Sequence, residues 1–315
     1  MPAAGVTFPA FGTTVGVWVT EPECLPVAES LLRDWVDVVD RSCSRFRPDS
    51  DLSRANAAAG TPVAVDATLL DAVDVALLMR EVTGGWYDPM LGTAVIAAGY
   101  DRPFDEIRRT APGRRQRAAR PLPGAQVVVD REAGTLTVPE GVQLDLGGTA
   151  KGWAVDVALT LVRHHLSAEG ADAGVCVSAG GDLSVAGPSP GGDGWTVHIA
   201  EGMDVPAGDG DPLLRLDSGA VATSGALRRR WRIGDVELHH LIDPRTGEPG
   251  ASMWHMATVL APTCAEADAA ATAAWLMGSA APAWLERLGY AGRLVGRDGE
   301  AVVVGDLPWC PADRR

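Results

Sequence analysis

Val142-Gln-Leu-Asp145-Leu-Gly-Gly-Thr-Ala-Lys151-Gly-Trp153 is the stretch on which the reading of this chain turns. Val142 to Leu146 has the apolar spacing of a strand, two glycines make a turn, and a helix-compatible run follows from Ala150 to His165. Strand, glycine turn and helix in that order also open the common nucleotide-binding α/β folds, so the details decide. A Walker A loop ends in Gly-Lys-Ser/Thr, whereas here the lysine precedes the glycine. No Gly-x-Gly-x-x-Gly is present either. The turn exposes backbone N–H groups at the positive end of a helix dipole, which suits a phosphate. A tight strand-to-helix turn with an exposed lysine is the plainer alternative. Lys151 adds a clue of its own, being the one lysine among 27 Lys and Arg residues. A position that keeps an ammonium in an arginine-rich chain calls for a slim point charge rather than a broad fork.

Working outward, short strands dominate on both sides. Gln126–Asp130 and Thr135–Val138 precede the turn. Gly174–Ser178, Leu183–Ala186, Trp195–Ala200, Leu213–Leu216, Trp231–Ile233, Val236–His239 and Met256–Leu260 follow it. Helical spacing appears at Glu23–Ser42, Ala67–Thr83 and Thr263–Met277, the last opened by Thr263-Cys-Ala-Glu266 in capping-box form. Phe11–Thr20 reads as a first strand, Arg45–Asn56 as a loop, and Arg297-Asp-Gly299 as a hairpin turn. Strands mixed with segregated helices predict an α+β fold of mixed, largely antiparallel sheets with flanking helices, not a doubly wound sheet. Residues 107–124, rich in Arg, Pro and Ala, read as a solvated loop or linker. We expect one domain over residues 8–305 and a tail over 306–315.

The chain has 315 residues, a net charge of −14 and 46% hydrophobic residues. That acidity argues against nucleic-acid binding through a broad basic surface, so any polyanionic ligand must be held by local features or a cation. Five scattered cysteines contain no Cys-x-x-Cys pair, which reads as isolated buried thiols in a reducing compartment. No apolar run approaches the ~20 residues of a membrane span and no secretory signal is evident, so we expect a cytoplasmic protein without a membrane anchor.

Other residues carry chemistry in pattern. Asp268 and Thr272 are four apart on the last long helix and so share a face. A carboxylate and a hydroxyl make a partial shell for Mg²⁺; equally, a helix dipole favours an early Asp and a Thr can simply pack. His240, in His240-Leu-Ile-Asp-Pro-Arg-Thr-Gly247, is an acid/base or hydrogen-bonding candidate or a structural histidine. Thr223 and Ser224, in a small glycine turn before Arg228-Arg-Arg230, can meet phosphate or ribose oxygens. Trp86 and Tyr87, just before Asp88, are stacking platforms for a flat ring.

Taken in order, Phe11-Gly-Thr-Thr14, Ser44-Arg-Phe-Arg-Pro-Asp-Ser50, Gly85-Trp-Tyr-Asp-Pro89, Asp145-Leu-Gly-Gly-Thr-Ala-Lys-Gly152, Gly180-Gly-Asp182, Ala222-Thr-Ser-Gly225, His240-Leu-Ile-Asp-Pro-Arg-Thr-Gly247 and Glu266-Ala-Asp-Ala-Ala-Ala-Thr272 resemble the ApbE family of FAD:protein FMN transferases. The resemblance implies an ApbE-like fold and a Mg²⁺-dependent split of FAD. FMN passes to a Ser or Thr hydroxyl of an acceptor flavoprotein and AMP leaves. It implies Asp268, Thr272 and the carbonyl of Gly148 as metal ligands. It also implies Phe11, Phe46, Trp86, Tyr87, Asp88, Asp145, Lys151, Thr223, Ser224, Leu241 and Ile242 as FAD contacts. For the general base the candidates are Asp268, Asp243 and His240. This chain departs from the family at Phe11, where methionine is usual, at Ser178-Ala179 in place of Asn-Leu, and at Ala226-Leu227 in place of a polar–Tyr pair. An FAD pyrophosphatase and a non-catalytic flavin carrier are the rival readings.

Overall fold

The computed structural model describes residues 3–109, 124–200 and 212–308. Its frame is one eight-stranded sheet whose strands lie side by side in the order in which the chain makes them. They are β1 (Ala4–Ala10), β2 (Thr13–Val19), β3 (Val175–Ala179), β4 (Asp182–Ala186), β5 (Gly219–Gly225), β6 (Trp254–Ala261), β7 (Ala291–Gly296) and β8 (Ala301–Val304). Every neighbouring pair is antiparallel. The α+β class expected from the sequence is the class observed.

Alternation along the strands gives the sheet two apolar faces. Val175, Val177 and Ala179 of β3 and Ala220 and Ala222 of β5 pack against helices, together with Val15, Val17 and Val19 of β2. The helices on that face include α1 (Leu25–Cys43), α2 (Ala67–Val82), α3 (Ala150–Ala168) and α4 (Cys264–Met277). Cys176, Val185, Val221 and Met256 point the other way, onto a two-stranded unit, Trp195–His198 with Leu213–Leu216. α4 is buried almost all round, which its alanines permit: Ala267, Ala269, Ala271, Ala273 and Ala274 are fully buried. Small side chains let it lie close to β5 and β6.

Several local expectations are corrected. Phe11–Thr20 does hold a strand, β2, but it is the second arm of a hairpin with Ala4–Ala10, turned at Phe11 (φ 53°) and Gly12 (φ 65°). Two consecutive left-handed residues fit the right-handed twist of the strands they join. Arg45–Asn56 contains a helix, Asp51–Ala57, whose N-cap Ser50 accepts from the Ser53 N–H. Val142–Leu146 joins no ladder beyond a single bridge of Gln143 with Leu91. Its backbone is satisfied instead by side chain and loop. The Asn56 amide bonds both the N–H and the carbonyl of Leu144, and the Asp145 N–H donates to the Pro89 carbonyl. Ala222-Thr-Ser-Gly225 is not a turn but half of the central strand β5.

At the segment read as a loop over 107–124, Phe104–Arg109 forms a short helix and residues 110–123 lie outside the described residues. Near the C-terminus, Leu307 is buried and the Pro308 carbonyl accepts from the Arg215 N–H. No helix among the described residues is long and apolar enough to cross a membrane.

Candidate active site

A cavity of about 880 Å³ opens over the β2–β6 part of the sheet. That is at the large end of ligand sites, about 300–1,000 Å³. Three pieces build its floor. The glycine turn delivers Gly147, Gly148 and Lys151; the tight Gly180-Gly181 turn between β3 and β4 delivers Asp182; the second and third turns of α4 deliver Asp268 and Thr272.

At the start of α3, Leu146 accepts from both Thr149 and Ala150, and the Gly147 N–H is taken by Asp145 Oδ1 at 2.7 Å. The N–H groups of Gly148 and Lys151 find no acceptor among the described residues, and neither does the Gly148 carbonyl find a donor. A glycine suits residue 148 sterically, since a Cβ there would sit 3.0 Å from the Tyr87 ring and crowd it. Tyr87 is itself buried and bonded to Thr149 Oγ1 at 2.8 Å, so it props the turn from behind. Open N–H groups at a helix start form an anion site.

Lys151 does not project freely into the cavity. Its Nζ lies 3.0 Å from Asp182 Oδ2 and 3.0 Å from Asp268 Oδ2, and its side chain is only 16% exposed. The Thr223 N–H fixes the other oxygen of Asp182 at 3.2 Å. Within this hydrogen-bonded group two carboxylates share one ammonium, a surplus negative charge out of water. Burial, opposed by Lys151 and aided by the Asp182 charge, raises the Asp268 carboxyl to about 6. Burial disfavours the Lys151 ammonium, but the two carboxylates outweigh it and its pKa rises.

Asp268, Thr272 and Gly148 all line the cavity, which offers a carboxylate, a hydroxyl and a carbonyl without a donor as hard oxygens. Ser224 Oγ holds Thr272 Oγ1 at 2.9 Å. This is the donor chemistry that a magnesium ion prefers. No cluster of three or more His, Cys, Asp or Glu side chains suited to a metal occurs among the described residues. The oxygen set described here has only one such side chain.

The walls carry most of the remaining sequence candidates. Trp86, Tyr87, Asp88, Asp145, Thr223, Ser224, His240, Leu241 and Ile242 all line the cavity. Asp145 is tied to Arg45 at 2.7 Å, and the Arg45 guanidinium lies over the rings of Phe46 and Tyr100 at 4.2 and 4.5 Å. Phe46 thus stands one layer behind the wall, and Phe11 sits in the hairpin turn whose next residues, Gly12 to Thr14, line it. Asp243 is not in the wall. Both of its oxygens are held by Arg245 (2.9 and 2.6 Å), which lowers its pKa and makes it a poor base. Arg245 in turn lies 4.3 Å over the Trp86 ring. His240 is neutral at pH 7: burial, then the nearby Arg229 charge, pushes its pKa well down. Its buried Nδ1 has no partner.

Asp182 and Arg229 were missed as site residues. The Gly180-Gly-Asp182 motif was a usable signal, but the pairing with Lys151 and Asp268 joins residues 31 and 117 positions apart. All of Arg228, Arg229 and Arg230 line the cavity, and Arg229 is the one whose charge acts on Lys151 and Asp268, a choice the sequence gave no reason to make.

The family model described as "ApbE family" matches residues 11–294. An FAD:protein FMN transferase of Treponema pallidum is 33% identical over 255 residues, 75% of this chain and 67% of that protein. Another, from Vibrio cholerae, is 28% identical over 275 residues, 86% of this chain and 80% of the relative. Among solved structures, an ApbE protein of Thermotoga maritima superposes with a TM-score of 0.78 at 26% identity, covering 96% of this chain and 97% of the other. The Vibrio cholerae flavin transferase ApbE superposes with a TM-score of 0.72 at 25% identity, covering 96% and 98%.

Proposed function

This chain belongs to the ApbE family and transfers FMN from FAD to an acceptor flavoprotein, and we propose that it does so with magnesium at Asp268, onto a Ser or Thr hydroxyl, releasing AMP. The observation that carries the magnesium reading is the surplus carboxylate of the Asp182–Lys151–Asp268 group, beside the open start of α3. An anion-binding helix end and a cation-seeking carboxylate stand together, as a metal-bound pyrophosphate requires.

In this reading Asp268, Thr272 and the Gly148 carbonyl hold the ion, which when bound neutralises charge building on the phosphate oxygens. The free N–H groups of Gly148 and Lys151 receive the diphosphate. Trp86, Leu241 and Ile242 confine the ring systems, and Lys151 opposes the upward shift of Asp268 and holds both Asp268 and Asp182 in place. The acceptor hydroxyl oxygen bonds to the FMN phosphorus as the bond from that phosphorus to the bridging oxygen breaks, and AMP carries that oxygen away. The hydroxyl proton must leave. His240 lines the cavity and has an unpartnered ring nitrogen, whereas Asp243 lies outside the wall with both oxygens held by Arg245, so His240 is the better placed of the two to take it. Positioning and charge neutralisation are what phosphoryl-type transfer asks of a protein. A cytoplasmic location is part of the proposal, supported by the free, buried thiols of Cys24, Cys43, Cys176 and Cys264; immunoblots of fractionated cells that place the protein outside the cytosol would refute it.

The test is incubation with FAD, a candidate acceptor and Mg²⁺, with and without EDTA, followed by chromatography and intact-mass measurement. An acceptor gaining one FMN only when Mg²⁺ is present supports the reading. AMP and free FMN without acceptor favour a pyrophosphatase, and flavinylation undiminished by EDTA removes the metal.

A further inference from the structure

α3 and α4 touch at the backbone. A Cβ on Gly152 would fall 2.5 Å from the Cys264 carbonyl oxygen, so only glycine allows the approach. One turn further along α3, Asp156 reaches across the same gap. Its Oδ1 accepts from the Cys264 N–H at 2.8 Å and its Oδ2 from the Ala265 N–H at 3.0 Å. Ser184 Oγ of β4 donates to Oδ1 at 2.7 Å, steadying the carboxylate.

The start of α4 is thereby served by two different devices. A helix leaves its first four N–H groups without internal partners. Thr263 Oγ1 accepts from Glu266, and the Glu266 side chain accepts from the Thr263 N–H; this box is local and holds the first turn together. The other two groups, on Cys264 and Ala265, go to Asp156, a residue of another helix. That link fixes where α4 stands relative to α3.

Asp268 lies one turn further along α4, and Lys151 lies on α3 before Gly152. The Asp156 clamp and the Lys151–Asp268 pair are therefore two rungs between the same two helices. We propose that Asp156 is a positioning residue that sets the register of α4 on α3 and so holds Asp268 where the metal is bound. Asp156 lines none of the large cavity; it faces a separate cleft with Ser184, Thr263 and Tyr290. Its effect on the site passes through α4, and misplacing a reacting group by about 1 Å can cost on the order of 100-fold. This inference rests on the metal reading of Asp268.

The experiment uses the full chain and Mn²⁺ alone as the probe, titrated by electron paramagnetic resonance without FAD or acceptor. Mg²⁺ activation and the KM for FAD are measured separately. Asp156→Asn puts an NH₂ group where one of the two backbone donors now points. Its Mn²⁺ affinity and Mg²⁺ activation should weaken about tenfold, the lower end of what supporting residues cost a metal site, with the KM for FAD changed less than about twofold. Thr263→Ala is the control, since it removes the local cap and leaves the clamp. It should lower Tm yet keep Mn²⁺ affinity within about twofold of wild type. If Asp156→Asn does not fold, Ser184→Ala carries the test, with a loss of about threefold expected in the same two quantities.

Wild-type metal affinity in the Asp156→Asn or, failing that, the Ser184→Ala protein overturns the proposal. So does an equal loss of affinity in Thr263→Ala, because Asp156 would then matter only for helix stability. Asp268→Ala separates the two claims: unchanged Mn²⁺ binding there refutes the metal site itself and the inference with it. Binding lost in Asp268→Ala but kept in the Asp156 variant refutes the inference alone.

Discussion

Charges at the edge of the cavity and charges on its floor are built on different plans. Around the edge each acid has an arginine to itself: Asp145 with Arg45, Asp88 with Arg80, Asp243 with Arg245. These pairs are neutral, and they range from buried Arg45 with Asp145 (10% and 15% exposed) to Arg245, whose side chain is 65% exposed. On the floor, Asp182 and Asp268, each 7% exposed in the side chain, divide one lysine. Paired charges pin loops together; the shared lysine leaves its hydrogen-bonded group with one carboxylate more than ammonium, offset only through space by the Arg229 charge. Isolated exposed pairs contribute little, whereas an uncompensated buried charge is costly. The difference teaches where to look for function: in the group whose charges do not cancel.

The sharpest way to break this contrast is at Asp268. Asp268→Asn should cut FMN transfer by on the order of 100-fold or more, yet leave Tm unchanged or higher, because Lys151 and Asp182 then form a balanced pair. A large fall in Tm together with activity would show that the carboxylate serves the fold instead. Removing the lysine should do the reverse to stability. Lys151→Met leaves two buried carboxylates facing each other and should cost about 3–5 kcal/mol in urea unfolding.

The floor and the edge should also separate by pH. Burial, with Asp182 beside it, raises the Asp268 carboxyl to about 6, so its ionised form is present above that pH and is lost as pH falls through it. At subsaturating Mg²⁺, kcat/KM should therefore show an acid limb near pH 6 that moves to lower pH as Mg²⁺ is raised. Asp243 is shifted the other way by Arg245 and stays ionised across the range, so it adds no limb. A profile flat down to pH 5 would contradict the floor assignment. The smallest effect is expected at the edge itself. Arg245→Ala should change stability by no more than about 1 kcal/mol and raise the KM for FAD a few-fold by freeing Trp86, with kcat nearly unaltered; a collapse in kcat would place this pair among the reacting groups.

How far sequence could lead is set by the range of the interactions involved. The Thr263–Glu266 box and the Asp268/Thr272 spacing are local to one helix and were legible. So was the α+β class, which follows from hydrophobic periodicity. Val142–Leu146 has a strand's pattern, but its hydrogen bonds go to the Asn56 amide and to the Pro89–Gly92 segment, which no periodicity announces. Ala222-Thr-Ser-Gly225 has a turn's composition and is a central strand, because its hydroxyls meet Thr258 and Thr272 across the packing. Lys151 stood out by its rarity alone. That it would be held by two acids, and that Asp156 would cap a helix more than a hundred residues away, belongs to tertiary structure.

One seam of the sheet has a consequence for how the protein comes into being. Val19 of β2 finds its partner, Val175 of β3, only about 150 residues later, and pairings so distant along the chain form slowly. During synthesis the first hairpin must wait, one side unzipped, until most of the polypeptide has emerged. The bond from the Gly180 N–H to the Thr14 carbonyl closes that zipper, and the residues on both sides of it form one wall of the cavity. The nascent chain therefore acquires its flavin pocket late, and a ribosome-bound fragment ending before β3 would have nowhere to hold FAD.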